Sequence, residues 1–330
     1  MRVYLDQLHW VSLARAATDH PAGRTFKRVL TAVGNAVDIG KASFPLSSHH
    51  YYENHKQRNI RRRHHMASVM AAISQYDTIA SIWDVLPGEL DHALHARFGR
   101  PQLTRPVLAF GSGIEFAFGA PKSVLPIPAG LEHALKERIY AAIQFAMLGG
   151  DTASLGLVLS QLPSAFSLFD DYFRSSRQRL NDLALGGRIA RNDVRREVAA
   201  AALEEITGPM REALRRAEMT FEEFAGLGES GSIEFLHDLP SRDVDLELLQ
   251  LRHRNPQKAW DMNDLTDVSA LAMAVPYCDV VVTERLWADL VKRANLHKKY
   301  NTVVLADLND LPDVLTSDAV ASKSGSPDRG

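Results

Sequence analysis

The sequence has 330 residues but only one cysteine, Cys278, so neither an intramolecular disulfide nor a cysteine-based zinc site can form. It also lacks an unbroken run of about 18 apolar residues, and its first residues, MRVYLDQLHW, lack the apolar segment of a signal peptide. A glycine-rich phosphate loop is missing too, because the GSG at 111–113 is followed by no GK[ST] motif. These absences predict a soluble protein of the reducing cytoplasm without a P-loop.

An excess of positive charge is also absent. The formal net charge of -2 gives no support to a chain that is basic throughout, as a general nucleic-acid binder would be. One segment is basic nonetheless, KQRNIRRRHH at 56–65, and its Lys and Arg residues are Lys56, Arg58, Arg61, Arg62 and Arg63. Such a run is usually a solvated helix face, but it can also hold the phosphate backbone of a nucleic acid.

Apolar strands alternate with helical patterns at both ends of the chain. We predict strands at 2–5, 42–46, 279–283 and 302–306, and helices after Asp6 and at 26–40, 265–275, 285–296 and 308–315. The proline within 42–46 suits an edge strand or a strand end. This alternation is typical of a parallel sheet covered by helices on both faces, and the simplest arrangement is one sheet assembled from both termini.

Between these ends the sequence is rich in Ala, Leu, Glu and Arg, with helical patterns at 130–148 and 190–226. We therefore predict an α/β domain built from 1–66 and 256–315, with a large α-helical insertion at 67–255. The final residues, 316–330, are small, polar and unpatterned, which predicts a disordered tail. The insertion is also the predicted contact surface for a second copy of the chain or for a protein partner.

Acidic residues occur where the predicted strands end. Asp6 and Glu284 directly follow strands, with Thr283 beside Glu284, while Glu53 and Asp267 lie in helices that start near the same edge. Because ligands collect beyond the carboxyl ends of parallel strands, we expect these acids to share one crevice. Their mutual repulsion of about a few kcal/mol per close pair requires a bound cation. Oxygen ligands favour Mg²⁺ or Mn²⁺ over zinc, and such ions assist phosphodiester hydrolysis.

Three segments resemble the PIN-domain family of metal-dependent nucleases: VYLDQLHWVSLAR, FPLSSHHYYE and DVSALAMAVPYCDVVVTER. The resemblance covers roughly 1–66 and 260–315, and it implies a PIN-like, doubly wound α/β fold with clustered acids. It further implies that Asp6, Glu53 and Asp267 bind Mg²⁺ or Mn²⁺, with Thr283 and Glu284 in a supporting or fourth-acid position. The implied activity is metal-assisted hydrolysis of RNA, and the basic run at 56–65 would then hold phosphate.

The chain departs from the family pattern at two places. Gln7 and Leu8 follow the first aspartate, where a small polar residue and then an asparagine are common, and Glu284 comes one position early. These departures favour a second hypothesis, a catalytically inactive PIN-like module that binds nucleic acid or protein.

Each candidate acid also has a simpler structural interpretation. Asp6 can cap the helix that follows it, and Glu53 can pair with Lys56 three residues on. Asp267 can form a capping arrangement with Asp264 at the start of its helix. Asp264 and the nearby Asp261 can also take a metal-ligand role, but loop solvation or capping is the favoured interpretation of both.

The remaining polar and aromatic candidates are assigned structural or surface roles. No histidine pair has the zinc-protease spacing, so we expect surface or phosphate-contacting roles for His49, His50, His55, His64 and His65. Trp10 and Trp287 are predicted to be core residues or lids over the crevice, with base stacking as a less favoured alternative. Cys278 is predicted to be buried and inert.

Overall fold

A computed structural model describes residues 1–119, 132–149, 194–254, 260 and 262–317 of the chain. Asp261, residues 318–330 of the predicted tail and residues 150–193 of the predicted insertion lie outside the described residues. The strands are β1 (Val3–Leu5), β2 (Asp77–Ile79), β3 (Phe110–Ser112), β4 (Val280–Val282) and β5 (Val303–Leu305).

The described helices, in chain order, are α1 (Gln7–Ala17), α2 (Lys27–Asp38), α3 (Ser48–Lys56), α4 (Ile60–Ser74), α5 (Ile82–Phe98), α6 (Ile114–Ala117), α7 (His133–Met147), α8 (Val194–Glu205), α9 (Thr207–Arg216), α10 (Phe221–Ala225), α11 (Gly228–His237), α12 (Pro240–His253), α13 (Met262–Tyr277), α14 (Arg285–Arg293), α15 (Leu296–Lys299) and α16 (Leu311–Thr316). Two short 3-10 helices lie at Pro21–Phe26 and Leu308–Asp310. None of the helices in these described ranges is long and apolar enough to span a bilayer.

Strands from the two ends of the chain form one parallel sheet of three strands, in the order β1-β4-β5. Each strand is an apolar triplet rich in β-branched valine: VYL, VVV and VVL. The register pairs Leu5 with Val282 and Val282 with Leu305, so the three strands end level with one another. The prediction that both termini share one parallel sheet is confirmed.

Side chains of this sheet alternate between two separate cores, as the period-two geometry of a strand requires. Tyr4, Val281 and Val304 pack into a core formed with α5 and with the helices from α8 to α15. Their strand neighbours face the opposite core, which is built from α1 to α4, α6, α7 and α16. Helices thus cover both faces of a small parallel sheet, and the described protein is mostly helical.

The middle of the chain differs from the sequence-based prediction in three places. The predicted strand at 42–46 makes only isolated parallel bridges, Arg2 to Ser43 and Leu46 to Thr78, because Pro45 has no N–H to continue a ladder. A second, antiparallel sheet of β2 and β3 was not predicted. The helical pattern at 190–226 folds, from residue 194 onward, as the three separate helices α8, α9 and α10.

Candidate active site

The floor of the candidate site lies where β1 and β4 end side by side. Asp6 directly follows β1, and its backbone N–H donates to the carbonyl oxygen of Val282 at 3.0 Å. Thr283 directly follows β4, and its hydroxyl donates to Asp6 Oδ2 at 3.1 Å. The other carboxylate oxygen, Oδ1, accepts the N–H of Gln7 at 2.6 Å and caps α1. Asp6 therefore caps α1 through one oxygen, as its structural interpretation predicts, and contacts Thr283 through the other.

Asp267 reaches the same edge from α13, the helix that runs back to the start of β4. Its Oδ2 accepts the indole N–H of Trp287 at 2.7 Å. Trp287 belongs to α14 and is almost fully buried, as is Trp10, so both tryptophans are core residues as predicted. The bond from a buried aromatic ring fixes the direction of the Asp267 carboxylate.

The third acid, Glu53, is placed by α3 and by a buried histidine one turn before it. Ser47 caps this helix, and its N–H donates to His50 Nδ1 at 2.9 Å, so Nε2 carries the ring proton and donates to the Leu5 carbonyl oxygen at 2.8 Å. Burial lowers the pKa of His50 to about 4, which agrees with this neutral ring. Glu53 itself accepts from Lys56 Nζ at 2.6 Å, as the i,i+3 spacing predicts.

These residues line one cavity of about 200 Å³, which we call the acid cavity. Its described lining contains no lysine or arginine and holds four carboxylates, those of Asp6, Glu53, Asp267 and Glu284. Burial, together with the charges of Asp6 and Glu284, raises the pKa of Asp267 to about 8. Burial also raises the pKa of Asp6, and the charge of Glu53 adds to this effect. All four carboxylates therefore interact electrostatically.

The donor chemistry of the acid cavity fits Mg²⁺ or Mn²⁺, because four carboxylates offer only oxygen ligands. The side-chain positions do not form a finished site: across the described residues, no group of three or more His, Cys, Asp or Glu is placed so that it could hold an ion. Asp6, Asp267 and Glu53 each accept a hydrogen bond from another protein side chain.

Sequence reasoning did not assign the other eight described residues of the cavity lining to the site: Tyr4, Gln7, Leu8, His49, His50, Asn263, Thr266 and Ala270. The prediction that His49 and His50 lie at the surface is wrong, because both rings are buried. Their spacing from Glu53, four and three residues along one helix, places all three on one face and could have identified them.

Burial tests the remaining predictions, which concern Asp264, Cys278 and three histidines. Asp264 is not a solvated acid: it is buried and accepts from Arg252 Nη2 at 2.8 Å. Cys278 is buried, as predicted. His55 and His65 are exposed, in agreement with the surface role expected for them, while His64 is partly buried against Phe145.

The basic run lies at the end of α3 and the start of α4, beside the acid cavity. Arg58, Arg61 and Arg62 are exposed, Arg63 is half-buried, and Lys56 pairs with Glu53. None of these five side chains belongs to the described lining of the acid cavity. Arg62 alone among them lines a neighbouring cavity of about 370 Å³, which shares Gln7 and Glu53 with the acid cavity.

A larger cavity of about 1140 Å³ lies in the helical block, between α8, α9, α10 and α11. Its lining is mainly apolar, and it includes none of the candidate acids. We place the candidate chemistry in the smaller acid cavity because perturbed carboxyl groups converge there, whereas size alone does not identify a catalytic site.

Comparison with known proteins adds no assignment to this geometry: no protein-family model matches the sequence, and searches of curated proteins and of solved structures gave no significant match.

Proposed function

We propose that this chain is a PIN-like, metal-dependent nuclease that hydrolyses phosphodiester bonds, with RNA as its substrate. The observation that carries the proposal is the convergence of four carboxylates, from two strand ends and two helices, on one cavity whose described lining includes no cationic side chain. Their repulsion is unfavourable unless a proton or a cation neutralises it. A divalent cation relieves more of this repulsion than one proton does.

Asp6, Glu53 and Asp267 would hold Mg²⁺ or Mn²⁺, with Glu284 at the exposed edge. When bound, the ion would neutralise charge on the phosphodiester and lower the pKa of a water molecule. The chain itself orients the acids, since Thr283 donates to Asp6 and Trp287 donates to Asp267. Glu53 must leave Lys56 to join them, and loss of such a partly exposed i,i+3 pair costs only about 0.2–0.5 kcal/mol.

The test is an RNA cleavage assay in Mg²⁺ or Mn²⁺ with the Asp267→Asn variant. We expect this variant to lose cleavage while its circular dichroism spectrum is unchanged. The matched control is Asp289→Asn, which alters an exposed acid on α14 that pairs only weakly with Arg293 at 3.5 Å and lies outside the acid cavity. Undiminished metal-dependent cleavage by Asp267→Asn contradicts the assignment of the site.

The second candidate is an inactive PIN-like module that binds nucleic acid or protein. It is favoured by the protein partners that Asp6, Asp267 and Glu53 already have, and by the absence, within the described residues, of a group placed to hold a metal ion. Calorimetric titration with Mn²⁺ at neutral pH separates the two candidates. Saturable binding that Asp267→Asn removes supports the nuclease, and no saturable heat from the wild-type protein supports the inactive module.

A further inference from the structure

A cavity of about 370 Å³ adjoins the acid cavity between α1 and α4, two helices that pack against each other. The two cavities share Gln7 and Glu53, so a ligand that extends out of the acid cavity on this side enters the second one. The basic side chains of the second cavity come from both walls, and we call it the basic groove: Arg15, His20, Arg62 and His65.

The charges of the basic groove are not neutralised by the protein. Arg15 and Arg62 are exposed, and neither forms an ion pair with any described residue. Glu53 is the acid in the described lining, and its carboxylate is already paired with Lys56. The groove therefore offers two free guanidinium groups immediately beside a cavity that holds four carboxylates.

A phosphodiester chain fits a cavity of carboxylates followed directly by a groove with two guanidinium groups. One phosphate at the acid cavity requires a cation between it and the carboxylates, whereas the next phosphate along the chain can be held directly by guanidinium groups. A volume of about 370 Å³ is near the lower limit of ligand cavities, which suits one strand better than a duplex.

We propose that the basic groove binds the backbone of single-stranded RNA on one side of the scissile bond, with Arg15 and Arg62 contacting phosphate. The proposal rests on the nuclease function proposed above, and it adds the side of the cleavage site on which the RNA strand continues. It also redraws the nucleic-acid surface expected from the basic run: Arg62 stays, Arg15 joins it from α1, and Arg58 and Arg61 lie outside the described lining of the groove.

The test measures binding without cleavage. Fluorescence anisotropy of a labelled single-stranded RNA of about ten nucleotides is recorded in EDTA, over about 50 to 200 mM salt. We expect Arg15→Ala and Arg62→Ala each to raise Kd at least about 5-fold and to lower the slope of log K against log salt by about 1. Arg15→Lys should recover part of the affinity that Arg15→Ala loses.

The matched controls, Arg58→Ala and Arg61→Ala, should change Kd by less than about 2-fold. The wild type should bind a duplex more weakly than the single strand.

The outcomes separate this proposal from the nuclease proposal. If all four alanine variants bind RNA with equal affinity, the assignment of RNA binding to the basic groove is wrong. The nuclease proposal is still decided separately, by the Asp267→Asn cleavage assay. Loss of binding confined to the two groove variants, without cleavage by wild type in Mn²⁺, supports the groove and overturns the nuclease. Duplex binding as tight as single-strand binding overturns the assignment to a single strand, and a wild-type protein that binds no RNA overturns the whole proposal.

Discussion

Replacing Asp267 with asparagine should stabilise the folded protein when divalent metal is absent. Burial and the neighbouring Asp6 and Glu284 carboxylates raise the pKa of Asp267 from 3.8 to about 8. In the unfolded chain this group ionises near its ordinary pKa, so between about pH 4 and pH 8 the folded state binds a proton that the unfolded state has released. The contribution of Asp267 to the free energy of unfolding therefore falls as the pH rises through this window.

The size of the effect follows from the pKa shift. One unit corresponds to about 1.4 kcal/mol, and pH 7 lies about three units above 3.8, so the unfavourable contribution of Asp267 is on the order of 4 kcal/mol. Water reaches part of this carboxyl group, which screens the neighbouring charges, and we expect a measured gain of about 1–2 kcal/mol. The asparagine amide oxygen can still accept the Trp287 indole N–H, so this hydrogen bond is retained.

The assay is urea unfolding of wild type and Asp267→Asn in EDTA at about pH 5 and pH 8. The gain in unfolding free energy should be at least about twofold larger at the higher pH. Asp289→Asn, the exposed acid on α14, is the matched control and should show no such gain. Mn²⁺ should then stabilise the wild type much more than the variant. A variant that is no more stable than wild type at pH 8 refutes the claim that the acids repel one another.

Three further predictions concern groups around the site. Thr283→Val removes the hydroxyl donor to Asp6 and should lower the unfolding free energy by about 1–2 kcal/mol in urea at neutral pH, whereas Thr283→Ser should retain most of it. Asp264→Ala leaves the buried Arg252 without this carboxylate and should lower the free energy of unfolding by about 3 kcal/mol. Adding Arg252→Met should recover much of this loss, and thermal unfolding of the single and double variants measures both effects. Burial lowers the pKa of His50 to about 4, so as the pH falls the unfolded chain takes up a proton before the folded state does. The contribution of His50 to stability should therefore drop by up to about 2 kcal/mol from pH 7 to pH 5, and the difference between wild type and His50→Gln in urea titrations at the two pH values measures it.

Sequence periodicity was sufficient to predict the three strands of the parallel sheet and the acids at its edge, but not the failure of 42–46 to join it as a strand. The triplets VYL, VVV and VVL are apolar on both faces, which only a sheet covered on both sides can bury. Parallel strands end at a common edge, so an acid directly after a strand, such as Asp6, must lie there. For the same reason α13, which leads into β4, returns Asp267 to this edge.

The parts that were not predicted depend on partners far away in sequence. His50 is tolerated in the interior because both ring nitrogens bond to backbone groups, one of them the carbonyl of Leu5 on another element. The strand β3 has the sequence FGS, which shows no apolar alternation, and it forms only by pairing with β2 more than thirty residues earlier. Local propensity carries no information about either contact.

Capping and catalysis are not competing explanations for Asp6. The bond from Gln7 to Oδ1 and the bond from Thr283 to Oδ2 hold the carboxylate at the strand end. Burial at this position raises the pKa of Asp6, although the two hydrogen bonds oppose the shift. A residue needed only as a cap has no reason to share a cavity with three other acids, because a solvated aspartate caps a helix equally well. Glu53 therefore decides between the nuclease and the inactive module. Its bond to Lys56 contributes only about 0.2–0.5 kcal/mol. Under the nuclease proposal, a divalent ion that relieves about a few kcal/mol of repulsion between the acids would draw Glu53 away from Lys56.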